Sequence, residues 1–380
     1  MADTAFPADK VTTQSGPKTS RWLRLLANPK FQTWAARFPL TRRLVRREGE
    51  AMFDIVAGFC HAQILQAVVK FQLPDLLLEQ PMPADALARA CKVPTERMIV
   101  LINGAAALKL VKVRRDGLIG LTSRGAALAG VPGLQGMIAH HDVLYRDLSD
   151  PVAFFRSETE TELAAFWPYV FGADGATDAS VTARYSELMA DSQSLVAADT
   201  LDIVPLHGVR RLMDVGGGTG AFLSAVGKRY GDMNLTLFDL PAVAPFAQDR
   251  FEKLGSTART GIVSGSFRDD PLPDGADMIS LVRVLYDHDD DTVRRLLRAV
   301  FAALPAAGRV LISEPMTGGV QPEKAGDAYF ALYCMAMRTG RARSSAEIAA
   351  LLSDAGFTDV QIPRAKRPFI TSAVVAVKPA

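Results

Sequence analysis

Cysteine is scarce in this chain. Cys60, Cys91 and Cys334 are the only three in 380 residues, far apart and without CxxC spacing. An odd, scattered set excludes a disulfide framework and a zinc site, and it suits a reducing compartment. No bound metal is expected. Long apolar runs are also missing, since no stretch reaches the roughly 18 residues needed to span a bilayer. Met1 to Gly16 is polar and lacks the apolar core of a secretory signal, so a cytoplasmic location is expected. Net charge is nearly absent too: 43 Lys and Arg against 41 Asp and Glu leave a formal +2, which excludes the character of a general nucleic-acid binder. Apolar residues are abundant at 49%, enough to build two or three globular units around a sizeable core.

One segment departs from this balance. Lys18 to Arg47 holds nine Lys or Arg and no Asp or Glu, interleaved with Trp22, Leu25, Leu26, Phe31, Trp34, Phe38 and Leu44. Cations mixed with aromatics are what an anionic lipid surface attracts, so residues 18–47 are candidates for peripheral membrane contact; the alternative is an amphipathic arm packed on protein. Ala51 to Leu78 has helical periodicity that Pro74 interrupts. Residues 83–111 then read as two short amphipathic helices, and V-K-V-R-R-D-G-L-I-G-L-T as a hairpin about Asp116-Gly117. Two helices and a hairpin make a winged helix-turn-helix. Its second helix, Thr95 to Leu110, offers only Arg97 and Lys109 as cations beside Glu96, too little for phosphate neutralisation. A dimerisation or substrate-lid role is expected in place of DNA binding.

Met137 to Leu201 reads as mainly helical, with Trp167, Tyr169, Phe171 and Tyr185 and a loop at 172–178. Beyond Arg210, apolar strands alternate with helices: R-L-M-D-V, N-L-T-L-F-D-L, D-M-I-S-L-V-R-V-L, G-R-V-L-I-S-E and F-I-T-S-A-V-V-A-V. Such alternation predicts an α/β, doubly wound parallel sheet covered by helices on both faces.

The first of these strands ends in D-V-G-G-G-T-G, Asp214 to Gly220, and opens a helix from Ala221 to Tyr230. Gly216, Gly218 and Ala221 satisfy the dinucleotide pattern, a weak match on its own. Asp214, two residues before the first glycine, repels a pyrophosphate and welcomes a cation. S-adenosylmethionine carries an ammonium and a sulfonium and no phosphate, so it is the expected cofactor, ahead of a nicotinamide dinucleotide. In F-D-L-P, Asp239 lies nineteen residues after Gly220 and can accept from ribose hydroxyls, with Leu240 beside it. The third strand ends in G-S-F, where Ser266 can meet an adenine edge and Phe267 can stack on the ring.

Together L-M-D-V-G-G-G-T-G, L-F-D-L-P, G-S-F, S-L-V-R-V-L-Y-D-H-D-D-D, A-L-P-A-A-G-R-V-L-I-S-E and the late A-G-F make the chain resemble the class I S-adenosylmethionine-dependent O-methyltransferases of the acetylserotonin and plant phenolic type, from about Ala51 onward. F-D-I-V-A-G-F, W-P-Y-V-F-G-A-D-G-A-T-D, Y-S-E-L-M-A-D-S-Q and L-Y-D-H-D-D look most like the bacterial carotenoid O-methyltransferases within that family. The resemblance implies a Rossmann-like methyltransferase domain preceded by a mainly helical winged-helix dimerisation domain. It divides the chain into a basic aromatic arm at 1–50, a winged-helix domain at 51–135, bridging helices at 136–205 and the methyltransferase domain at 206–380. It further implies a homodimer, a hydrophobic hydroxycarotenoid acceptor, and a cofactor site at Asp214, Gly216, Gly218, Gly220, Asp239, Leu240, Ser266, Phe267 and Arg283.

The departures concern catalysis. Where the family carries a general-base histidine this chain has Tyr286, and His288 stands at the family's tryptophan. Glu314 retains one of two glutamates that orient that histidine, while the other falls on Ala342. Ser266 replaces an adenine-binding acid. Alignment supplies about 7 to 11 kcal/mol of a displacement barrier and a general base roughly 10² to 10⁴-fold, so loss of the base need not abolish turnover. Either His288 reaches the acceptor hydroxyl beside Tyr286, which requires both on one face, or proximity alone dominates. Met137, Trp167, Phe171, Met189 and Gln193, with Tyr333 and Met337 of F-A-L-Y-C-M-A-M, are expected to line the acceptor pocket. A small phenol or polyketide acceptor, a winged-helix DNA-binding regulator, and a cofactor-binding relative without catalysis are the alternatives.

Overall fold

Capping residues punctuate the basic N-terminal segment. Ser20 accepts from Trp22 N–H to open α1 (Arg21–Leu26), and Asn28 accepts from Lys30 and Phe31 to open α2 (Pro29–Arg37). α3 (Arg42–Val56) and α4 (Gly58–Lys70) follow. The structure, a computed structural model, describes residues 20–166, 192–253, 255 and 259–380. It forms two units, residues 1–67 and 68–380, divided inside α4. In the first unit Ala35 is buried, whereas Trp22 is 58% exposed, Phe53 66% and Ile55 75%. Trp22, Phe31, Trp34 and Phe38 make successive ring contacts at 6.2, 5.5 and 4.9 Å.

In the second unit Pro74, expected to end a helix, begins one. It occupies the first turn of α5 (Leu73–Glu79), where its missing N–H costs nothing, and the break precedes it at Gln72 with φ 53°. α6 (Ala84–Cys91) and α7 (Thr95–Ala107) lead into β1 (Val111–Val113) and β2 (Ile119–Leu121), an antiparallel hairpin with Val111 opposite Leu121. This is the helix-helix-hairpin order predicted above. α8 (Ser123–Gly130), α9 (Leu134–Asp147), α10 (Pro151–Phe155), α11 (Glu162–Phe166) and α12 (192–203) bridge to the sheet. Trp167, Tyr169, Phe171, Tyr185, Met189 and the loop at 172–178 lie outside the described residues.

β3 (Arg211–Val215), α13 (Ala221–Arg229), β4 (Asn234–Asp239), α14 (Ala244–Lys253), β5 (Thr260–Ser264), β6 (Met278–Val282), α15 (Asp290–Ala303) and β7 (Arg309–Glu314) alternate as expected. A π-helical turn (Lys324–Phe330) runs into α16 (Ala331–Met337), and α17 (Ser345–Asp354), β8 (Thr358–Gln361) and β9 (Ser372–Val377) complete the chain. The sheet order is β5-β4-β3-β6-β7-β9-β8, parallel through β7, with β9 antiparallel to both β7 and β8. Strand residues alternate between two cores. Met213, Ile279, Leu281 and Ile312 pack with Val293, Leu297 and Leu352 of α15 and α17, while Leu212, Leu235, Leu237 and Leu311 pack with Phe222, Val226 and Phe251 of α13 and α14. Both faces are covered.

The chain leaves β3 toward β5 on one side and returns through β6 on the other, so the switch point lies between β3 and β6. Ligands of such sheets sit at the carboxyl ends there. Asp214, Asp239, the loop after β5, Arg283 and Glu314 all fall on that edge.

Candidate active site

Asp214, next to last in β3, is fully buried. Ser280 of the neighbouring β6 donates to its Oδ1 at 2.6 Å, while Oδ2 has no partner among the described residues. Burial, with Asp239 nearby, pushes this carboxyl up to about 7. An orphaned buried carboxylate oxygen is stabilised by a cation, so the site fits an ammonium-bearing ligand. Gly216, Gly218 and Gly220 carry φ of 70°, 58° and 72°, and a Cβ on Gly220 would lie 2.7 Å from the Phe251 ring. Gly217, which sequence reasoning passed over, is held to glycine by Asp214 itself: its Cβ would fall 2.3 Å from Oδ2. Asp239 accepts from the amides of Gly218 and Leu240, both at 2.7 Å, which fixes its carboxylate against the glycine loop. Each oxygen keeps a lone pair for a ribose hydroxyl.

The adenine end differs from expectation. Ser266 Oγ donates to Asp269 at 3.0 Å and accepts from the Arg268 amide at 3.3 Å, so its hydroxyl serves its own loop. Phe267 meets the His288 imidazole edge to face at 5.2 Å. Arg283, assigned to the cofactor by resemblance, has the left-handed φ of 59° that a non-glycine residue rarely adopts. Its guanidinium reaches Ser192 Oγ at 2.9 Å and the Tyr286 hydroxyl at 3.2 and 3.3 Å.

His288 is corrected as the candidate base. Leu285–Asp287 is a 3-10 turn, not a strand, so residues 286 and 288 do not share a face. The buried imidazole takes its Nδ1 contact from Arg268 Nη2 at 3.1 Å. Burial, reinforced by that cation, pushes its pKa down to about 3. Tyr286 is no base either, because burial drives its phenol upward against the pull of Arg283. Its oxygen accepts from Arg283, which leaves the phenolic proton to be donated.

Glu314 braces the turn that carries Tyr286. Its Oε2 accepts from the amides of Leu285 and Tyr286 at 3.0 and 3.2 Å, and burial raises its pKa to about 7. Buried Arg343 holds the other side of the turn, donating to the carbonyls of Leu285 and His288, each at 2.9 Å, and to Asp290. The turn bearing Tyr286 is clamped from both ends. Ala342 packs with Tyr286, Cys334 and Phe330. The two departures from the family pattern are thus neighbours: a small residue stands beside the larger ring.

On α9, Met137 and His141 lie one helical turn apart, both half-buried. His141 Nε2 and the Tyr329 hydroxyl share a 2.7 Å hydrogen bond, and the rings of Tyr329 and Tyr333 stand 6.2 Å apart. Gln193 on α12 has a buried Oε1 without a partner among the described residues, beside the Ser192 that holds Arg283. Met337 is corrected from pocket to core, because it packs with Leu144, Phe154 and Leu163. Tyr333 shares that cluster.

The O-methyltransferase domain family matches residues 145–358, more than half of the chain. The chain belongs to the O-methyltransferase family. This O-methyltransferase is 57% identical over 357 residues to demethylspheroidene O-methyltransferase of Cereibacter sphaeroides, covering 94% of each protein. It is 55% identical to the protein of the same name from Rhodobacter capsulatus, over 93% of this chain and 88% of that one. Its fold matches that of human N-acetylserotonin methyltransferase solved with S-adenosylmethionine, with a TM-score of 0.76 at 24% identity, over 88% of this chain and 98% of that one. S-adenosylmethionine is its methyl donor. Of the residues expected at the methyltransferase site, the structure gathers Asp214, the glycines, Asp239, Leu240, Arg283, Tyr286 and Glu314 along one edge. Ser280, Arg343, His141 and Tyr329 were missed, because hydrogen bonds between distant segments leave no local signature, and Gly217 because only the folded loop brings the Asp214 carboxylate against it.

Proposed function

We propose that this O-methyltransferase methylates a hydroxyl of a hydroxycarotenoid of the demethylspheroidene or hydroxyneurosporene kind in carotenoid biosynthesis. The observation carrying this reading is identity of 57% across 94% of a demethylspheroidene O-methyltransferase. S-adenosylmethionine supplies a methyl group activated on sulfonium. Asp214 would hold the donor's cationic end and Asp239 its ribose, while Arg283 and Tyr286 face the acceptor. Tyr286 would donate to the acceptor oxygen and orient it, and the clamped turn keeps that donor in place.

The setting is part of the same proposal: a cytoplasmic, membrane-peripheral homodimer. Arg21, Arg24, Lys30, Arg37, Arg42 and Arg43 form no ion pair among the described residues and lie among exposed aromatics, which suits an anionic lipid surface holding the acceptor. Ile99 and Val100 on α7 are 44% and 69% exposed, which suits burial against a second copy. No single described helix is long and apolar enough to cross a membrane.

Incubation with radiolabelled S-adenosylmethionine and paired acceptors tests the substrate. The expected outcome is a labelled methyl ether from the hydroxycarotenoid at a rate at least tenfold above that from small phenols. Label entering only the phenols would overturn the acceptor assignment.

A further inference from the structure

On the turn after β6 neither Tyr286 nor His288 serves as a base, and α9 and the π-helical turn bring another candidate pair together. Tyr329 is next to last in Lys324–Phe330, a π-helical segment of a kind that recurs at functional sites. Asp327 Oδ2 anchors it by accepting from the amides of Gly318 and Glu323, at 2.8 and 2.7 Å. Gly326 permits its close approach, since a Cβ there would lie 2.1 Å from the Met316 carbonyl. The Tyr329 hydroxyl thereby meets His141 Nε2 at 2.7 Å, with the two rings edge to face at 5.5 Å. The Tyr329 ring meets that of Phe330 at 4.9 Å, and Phe330 packs against Tyr286 of the clamped turn, with Arg283 close enough for its charge to act on Tyr329.

We propose that Tyr329 and His141 form a two-residue proton relay that takes the proton from the acceptor hydroxyl, replacing the base lost at position 286. This rests on the O-methyltransfer reading above. The acceptor's O–H bond breaks as its oxygen bonds the methyl carbon and the sulfonium–methyl bond breaks. The acceptor's proton passes to the Tyr329 oxygen, and the phenolic proton of Tyr329 passes to His141 Nε2. The products are the methyl ether, neutral S-adenosylhomocysteine and a His141 imidazolium, which returns its proton to solvent after product release. His141 suits the task because burial depresses its basicity and keeps it neutral near pH 7. The titratable and charged groups about the relay are His140, Asp142 and Tyr145 on α9, Lys70 of α4 paired with Asp142, Tyr333 on α16, and Arg283.

Two measurements decide it. In steady-state assays, Tyr329→Phe and His141→Gln should each lower kcat by about 10²-fold with KM for the methyl donor and affinity for S-adenosylhomocysteine unchanged, and the double variant should lose no more than either single one. Wild-type kcat should fall on the acid side as His141 takes a proton, and that limb should vanish in His141→Gln. Either single variant staying within about threefold of wild-type kcat, or losses that multiply, would overturn the relay. The second measurement needs no acceptor: nitrogen-15 NMR of histidine-labelled protein at pH 7 should show His141 neutral with its proton on Nδ1, and Tyr329→Phe should shift the Nε2 resonance. A proton on Nε2 would make His141 the donor to Tyr329 and sink the proposal. If the wild type methylates phenols but no hydroxycarotenoid, the acceptor assignment alone fails, and the kinetic comparison is made on the phenol.

Discussion

At the carboxyl edge of the sheet the ionisable groups are hidden and the apolar groups are packed beneath them. In residues 20–67 the arrangement is reversed, with cations and aromatics both facing outward. Asp214, Asp287 and Glu314 are held at the edge by Ser280, by backbone amides and by the field of Arg283, and burial pushes each upward, Asp287 to about 8. Keeping such groups buried costs free energy that only a large core can offset. The N-terminal helices have almost no core of their own, and their free energy is spent on presenting a surface. The catalytic unit buries its ionisable groups within its own sheet and helices, whereas residues 20–67 leave theirs exposed.

The contrast is open to measurement, and the largest effect is expected in the core. Leu281, fully buried between β3 and β7, should cost about 2 to 5 kcal/mol on truncation to Ala, whereas Ile55→Ala should stay within about 0.5 kcal/mol in urea unfolding. Equal costs would show that Ile55 is covered in solution.

Asp214→Asn should weaken S-adenosylhomocysteine binding by about 10²-fold in titration calorimetry. The sign of the pH effect follows from the raised pKa of about 7. An ammonium-bearing ligand binds the carboxylate form, so affinity is complete above that value and declines as pH falls through it. In Asp214→Asn this dependence should flatten, and an unchanged profile would place the ligand's charge elsewhere.

The smallest effect concerns lipid. Replacing Arg42 and Arg43 by Gln should lower partitioning onto anionic vesicles by about 2 kcal/mol, near 1 kcal/mol per cation, and added salt should reduce the difference. Cosedimentation that ignores both the substitutions and the salt would remove lipid as the arm's partner.

Much of the fold was legible beforehand. The strands β3, β4, β6, β7 and β9 follow from short apolar runs, and the hairpin at Asp116-Gly117 from its turn residues, which are local signals. Pro74 was misread because proline both ends and begins helices, and which it does depends on the backbone of Gln72 before it. The glycine loop announced itself because positive φ selects glycine residue by residue. His288 misled for the opposite reason. Its sequence neighbourhood suggested an extended segment, but the turn that carries it is shaped by Glu314 and Arg343, distant in the chain.

The sequence by itself determined the doubly wound order, the cofactor loop and the family, because each is written in the spacing of neighbouring residues. Only the tertiary structure decided which groups can exchange protons. A pKa depends on what burial and distant charges place within a few ångströms. The pairing of His141 with Tyr329, 188 residues apart, and the removal of His288 to the Phe267 side are consequences of packing.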